Sequence, residues 1–85
     1  MTEADLIERL AHYEHESWSR WMRYLFATAS PNADGSVTLP TRLVERWRRQ
    51  METAYADLTE AEKESDRQEV AHILPAIREF SQNGS

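Results

Sequence analysis

Residues 2–29 read TEADLIERLAHYEHESWSRWMRYLFATA, and this stretch decides the fold. Thr2 followed three residues later by Asp5 has the form of a capping box, in which each side chain bonds the other residue's backbone N–H. Beyond the cap, Leu6, Leu10, Trp21 and Leu25 fall on one helical stripe, while Ile7, Ala11, Trp18, Met22 and Phe26 fall on the adjacent one. Neither glycine nor proline interrupts the run. The pattern predicts one helix of about seven turns with a wide apolar face.

The chain after it is punctuated clearly. Ser30 to Ser36 is a loop carrying the turn dipeptide Asp34-Gly35. Val37-Thr38-Leu39 is β-prone but too short to make a sheet by itself. Pro40 suits the first turn of a second helix, expected to run to about Thr53 with Leu43, Val44, Trp47, Met51 and then Ala54 or Tyr55 on its buried face. Tyr55 to Leu58 is a connector. Thr59 with Glu62 repeats the capping-box pattern and opens a third helix, whose Val70, Ile73, Leu74 and Ile77 form an apolar stripe. Pro75 lies inside that stripe, removes a backbone donor and is expected to bend the helix or end it early. The expected fold is all-α: a compact bundle of three main helices, with a long first helix and a short extended segment in the 30–40 loop. Residues 1–80 form a single helical domain, and 81–85 a flexible C-terminal tail.

Composition narrows the function classes. Eighty-five residues make one domain with a modest core. The absence of cysteine excludes disulfides and thiolate metal sites and fits a reducing compartment. No apolar run approaches the roughly 20 residues of a membrane span, so no membrane association is expected and the cytoplasm is the expected location. Fifteen acidic and ten basic residues give a formal charge of −5, which argues against general nucleic-acid binding. Nine of the ten bases are arginine, three of them Arg46, Arg48 and Arg49; such a cluster can bind a compact anion or simply face solvent.

Candidate chemistry is limited to a few side chains. His12, His15 and Glu16 share helical spacing but lack the further ligands of a metal site. No metal site and no cofactor is expected, and metal-assisted hydrolysis is the weakest of the readings. His15 lies on the stripe between Ala11 and Trp18, which points it inward or into a cleft. There it is either a structural tie or a pocket residue. Lys63, Asp66 and Arg67 extend the third helix's stripe backwards, where charged groups need partners. Lys63 and Asp66 fit a structural polar network, and Arg67 fits either that network or an anion pocket. The tryptophans Trp18, Trp21 and Trp47 are too many for full burial in so small a domain. Trp18 or Trp47 can therefore edge a pocket, with Tyr55 at its connector facing the cleft. No nucleophile–base pair and no glycine-rich phosphate loop is present, so the protein is not expected to be an enzyme.

At His15-Glu16-Ser17-Trp18, at Tyr55-Ala56-Asp57-Leu58-Thr59-Glu60-Ala61-Glu62-Lys63 and at Glu64-Ser65-Asp66-Arg67, the chain resembles the ryanodine-receptor repeat domain. That small helical module also occurs alone in bacteria and phages. The stretch Val37 to Met51 departs from the receptor version and looks more like small phage and prophage proteins. The resemblance implies a helical bundle, often paired as repeats or dimers, and recognition of nucleotide-derived ligands. Two functions follow as expectations. The first is a non-catalytic domain binding a nucleotide-type or other anionic ligand through His15, Trp18, Trp47, Tyr55 and Arg67; if phage-encoded, it would act in the host cytoplasm by sequestering a defence signal. The alternative is a protein–protein interaction module, a homodimer or a binder of a host protein, with no small-molecule ligand.

Overall fold

The computed structural model describes residues 1–82. Three helices dominate: α1 (Glu3–Thr28), α2 (Thr41–Glu52) and α3 (Glu60–Gln82), with a 3-10 turn at Tyr55–Asp57 between the last two. This is the mostly-α, three-helix architecture expected, with the long first helix and the short extended segment in place. Thr2 caps α1 as its sequence predicts: its hydroxyl accepts from the Asp5 N–H at 3.1 Å, and the Asp5 carboxylate accepts from the Thr2 N–H at 3.0 Å. Thr59 and Glu62 form the same reciprocal pair at the start of α3, at 3.2 and 3.1 Å.

The 30–40 segment closes as a miniature hairpin. β1 (Ser30–Pro31) pairs antiparallel with β2 (Val37–Thr38). Its turn is held by Asp34, whose carboxylate accepts from the Ser36 N–H at 2.9 Å and hydroxyl at 2.6 Å. Gly35 takes φ +89°, a conformation that side-chain-bearing residues rarely adopt. The carbonyl of Pro40 then accepts from the N–H groups of Leu43 and Val44, which starts α2.

α1 and α3 run antiparallel. Arg9 meets Glu79 near one end, Tyr13 and Arg20 meet Glu69 further along, and Trp21 and Tyr24 border a groove with Glu62 and Asp66 at the other end. α3 continues through Pro75 without ending. The missing Pro75 N–H costs the Ala71 carbonyl its usual partner, yet Ala76, the next residue, is buried and the helix persists. Ser81 and Gln82, expected to begin the tail, belong to α3; the rest of that expected tail, 83–85, lies outside the described residues.

The layout is flat and open. Principal extents are 53 × 34 × 16 Å and the radius of gyration is 17.2 Å, where a globule of this length has about 12 Å. Accessible surface is 6634 Å², roughly 1,400 Å² above the value of about 5,200 Å² expected for a folded monomer of this mass. Among the described residues only Leu43, Ala76 and Glu62 are buried. The buried face expected on α2 is accordingly narrower: Leu43 is 1% exposed, Val44 and Trp47 are half-buried, and Met51 is 74% exposed with Ala54 and Tyr55 also exposed. The reason is that Met51 sits in the last turn of α2, where the chain turns away into the connector.

Leu43 is the one large side chain fully enclosed among the described residues. Leu43→Ala should cost about 2–5 kcal/mol, a large share of the stability of a small domain. Urea unfolding followed by circular dichroism measures it.

Candidate functional site

Three places on the molecule combine chemistry with access. The first is the α1–α3 seam, which is polar at its centre. The Glu69 carboxylate accepts from the Tyr13 hydroxyl, from Arg20 Nη2 at 3.0 Å and from the Ser17 hydroxyl at 3.4 Å. These donors, the Tyr13 hydroxyl first, hold the Glu69 carboxyl below the usual carboxylate range. Burial, followed by the bond to Glu69, raises the Tyr13 phenol. Tyr13 also stacks on His72, with ring centroids 5.8 Å apart. Sequence reading passed over Glu69, although its spacing of four from Ile73 and seven from Ala76 places it on the same inner face.

The second is a groove of about 540 Å³ where α1 and α3 diverge and α2 lies against both. Its wall carries three aromatic rings. Trp21 meets Tyr24 edge-on at 6.4 Å, and Tyr24 meets Trp47 at 6.5 Å. Glu62 anchors the floor, buried and bridged by both terminal nitrogens of Arg49 at 2.5 and 3.3 Å. Arg49, then the Thr59 N–H, draw the Glu62 carboxyl down to about 2. Arg46 and Asp66 border the same groove and form no hydrogen bond or ion pair with any described residue.

The third is an apolar face on one side of the α1–α3 pair. A helix turns about 100° per residue. On α1, Ile7, Ala11 and Trp18 lie roughly a third of a turn round from Arg9, Tyr13, Ser17 and Arg20, which meet α3. On α3, Val70 and Ile77 lie roughly a third of a turn round from Glu69, Ala76 and Glu79, in the same rotational sense. Because the helices are antiparallel, equal rotations bring both stripes to the same side. There Ile7 and Trp18 are each 57% exposed, Val70 is 52% exposed and Ile77 is also exposed, while Met22, Leu25 and Leu74 are half-buried; the exposed Glu14 falls in the same sector of α1, between Ala11 and Trp18.

The side chains singled out by sequence do not form one site. His15 is exposed rather than inward-pointing; it stacks on Trp18 at 6.2 Å on the outer side of α1 and borders a shallow cleft with Glu16, Ser19, Arg20 and Arg23. It is not drawn inward because no element of the chain covers that stripe. Trp47 and Asp66 border the aromatic groove. Tyr55, in the 3-10 turn, gathers with Lys63 and Arg67 of α3 elsewhere: Lys63 lies 5.9 Å from the Tyr55 ring and 3.6 Å from Glu60, and Arg67 pairs with Glu60 at 3.4 Å and Glu64 at 3.3 Å. Arg67 is thus occupied by its own helix. His12 and Glu16 lie 3.7 Å apart, and no three His, Cys, Asp or Glu residues among the described ones converge on a point where a metal could sit. None of the described helices is long and apolar enough to cross a membrane.

Compared with known proteins, the chain matches no family model, no curated sequence and no solved structure.

The pairing of buried Glu62 with the half-exposed Arg49 generates a pH prediction. The folded-state pKa of Glu62 lies near 2, below the ordinary 4.5, so its stabilisation is full above about pH 4.5 and is lost as pH falls toward 2. Glu62→Gln should therefore melt below the wild type at pH 7, with the gap closing between those two values. Thermal melts at pH 7, 4 and 2.5 check it.

Proposed function

We propose that the chain is a protein-interaction module: a thin helical scaffold that presents the apolar α1–α3 face to a protein partner. The carrying observation is the coincidence of two exposed apolar stripes on one side of a monomer with a small core. Large exposed apolar patches mark interaction sites. Trp18 is the natural anchor, being large, aromatic and central to its stripe. In this reading His15 serves to orient Trp18 by stacking on it.

A second reading is supported by the aromatic groove. Trp21, Tyr24 and Trp47 beside an unpaired Arg46 suit a planar ligand with an anionic group. The resemblance to the ryanodine-receptor repeat points toward a nucleotide-type molecule. Of the ligand residues expected from sequence, only Trp47 borders this groove, which is why the first reading is preferred.

Hydroxyl-radical footprinting in the producing cells separates the two. Reactivities are compared with those of the unfolded chain. Protection of Trp18, Val70 and Ile77, with Met51 reacting freely, is the outcome expected for a covered α1–α3 face. Trp18 reacting as freely as Met51 refutes it. Protection confined to Trp21, Tyr24 and Trp47, and lost from Trp21 and Tyr24 in Trp47→Ala, would favour the ligand reading.

A further inference from the structure

Building on the interaction reading above, we infer the chemistry of the occupant: a protein surface that is apolar around a central arginine or lysine, whose cation pairs with Glu14.

Glu14 lies inside the face rather than at its rim. Counting from Tyr13, which meets α3, Glu14 stands about 100° round α1, and Ile7, Trp18 and Ala11 stand about 120–160° round. The carboxylate is therefore set between the α1 stripe and the stripe of Val70 and Ile77 on α3. Its neighbours on the helix surface are Ile7, Leu10, Ala11, Ser17, Trp18 and Trp21, none of them basic. Glu14 is exposed and forms no hydrogen bond or ion pair with any described residue. Lys63 and Arg67, on the turns of α3 before Val70, are held by Glu60 and Glu64.

An acid in that place constrains whatever covers the face. Withdrawing a carboxylate from water without a counter-charge is strongly unfavourable. A cover that is apolar throughout would strand Glu14. One with an arginine or lysine opposite it gains a charge-assisted pair in a water-poor setting. Trp18, one turn further along α1, offers the same cation an aromatic face. The wider charge of α1 favours the same partner. Between Glu3 and Glu16 the acids Glu3, Asp5, Glu8, Glu14 and Glu16 stand against Arg9 alone, and Arg9 is taken up by Glu79. Such a field draws in a basic surface and repels an acidic one, anionic lipid and nucleic acid included.

The direction of one substitution's effect tests this pairing, read by footprinting the full chain in the producing cells. Trp18, Val70 and Ile77 are followed in each variant and compared with that variant's own unfolded chain. Glu14→Leu removes the acid and extends the apolar face. If the partner brings a base, protection is lost, because the partner's cation is then the stranded charge. If the partner is apolar there, protection is kept or rises. The expected result is loss of protection in Glu14→Leu and in Glu14→Lys, with protection kept in Glu52→Lys. That control makes the same charge change as Glu14→Lys, on the side of α2 opposite Leu43. Protection that persists or increases in Glu14→Leu overturns the central base and leaves the interaction reading in place. Loss in Glu52→Lys as well overturns the pair in favour of a general charge attraction. A wild-type chain unprotected at Trp18 removes both the pair and the reading beneath it. Circular dichroism of the purified variants reports helix content. Should Glu14→Leu lose helix, Glu14→Gln keeps the side-chain shape and is read by the same criterion.

Discussion

A 26-residue helix with apolar side chains on two adjacent stripes sets the terms for everything else in this molecule. One neighbouring helix can cover one stripe. α3 does so, from Arg9 and Tyr13 at one end to Tyr24 at the other. α2 is only 12 residues long and reaches the C-terminal part of α1 alone, where Tyr24 meets Trp47. The stripe through Ile7, Ala11 and Trp18 is left without cover from the chain itself. The flat outline, the surplus surface and the small core follow from that shortage of helix.

The same constraint explains which features could be read from the sequence. Helix ends are local events, so the Thr2–Asp5 and Thr59–Glu62 boxes, the Asp34-Gly35 turn and the Pro40 start all formed where the residues placed them. The apolar periodicity of α1 was equally visible. Periodicity gives the angular position of a side chain on its own helix, however, and says nothing of which sector the next helix occupies. Periodicity alone therefore points His15 inward or into a cleft, on a stripe that faces out. The expected pocket failed for a related reason: Tyr55 and Arg67 are set by the register of the connector, which leaves Arg67 nearest Glu60 and Glu64 of its own helix. Continuing through Pro75 is also a tertiary outcome, since local chemistry alone disfavours it.

Polar groups are indeed set into the packing faces, but they are Glu62 and Glu69 rather than His15, Asp66 and Arg67. Each carboxylate is enclosed by donors from another helix: Arg49 of α2 for Glu62, and Tyr13, Ser17 and Arg20 of α1 for Glu69. An ion pair partly withdrawn from water contributes little net stability, because desolvation offsets much of its Coulombic attraction, but it penalises any misaligned packing that leaves the carboxylate alone. Two such points, seven residues apart on α3, fix its register against both other helices.

A seam built this way aligns helices better than it holds them together. Where apolar contacts would ordinarily supply the cohesion, the centre of the α1–α3 interface has a carboxylate ringed by hydroxyls and a guanidinium. The apolar residues that would supply that cohesion in a larger protein, Ile7, Trp18, Val70 and Ile77, lie on the open side. Burial there contributes about 25 cal/mol for each Å² removed from water. Covering the face therefore adds to the stability of each helix pair at the same time as it forms the complex. On the interaction reading, folding and association share one surface in this chain, and the polar seam determines the geometry in which that surface is presented.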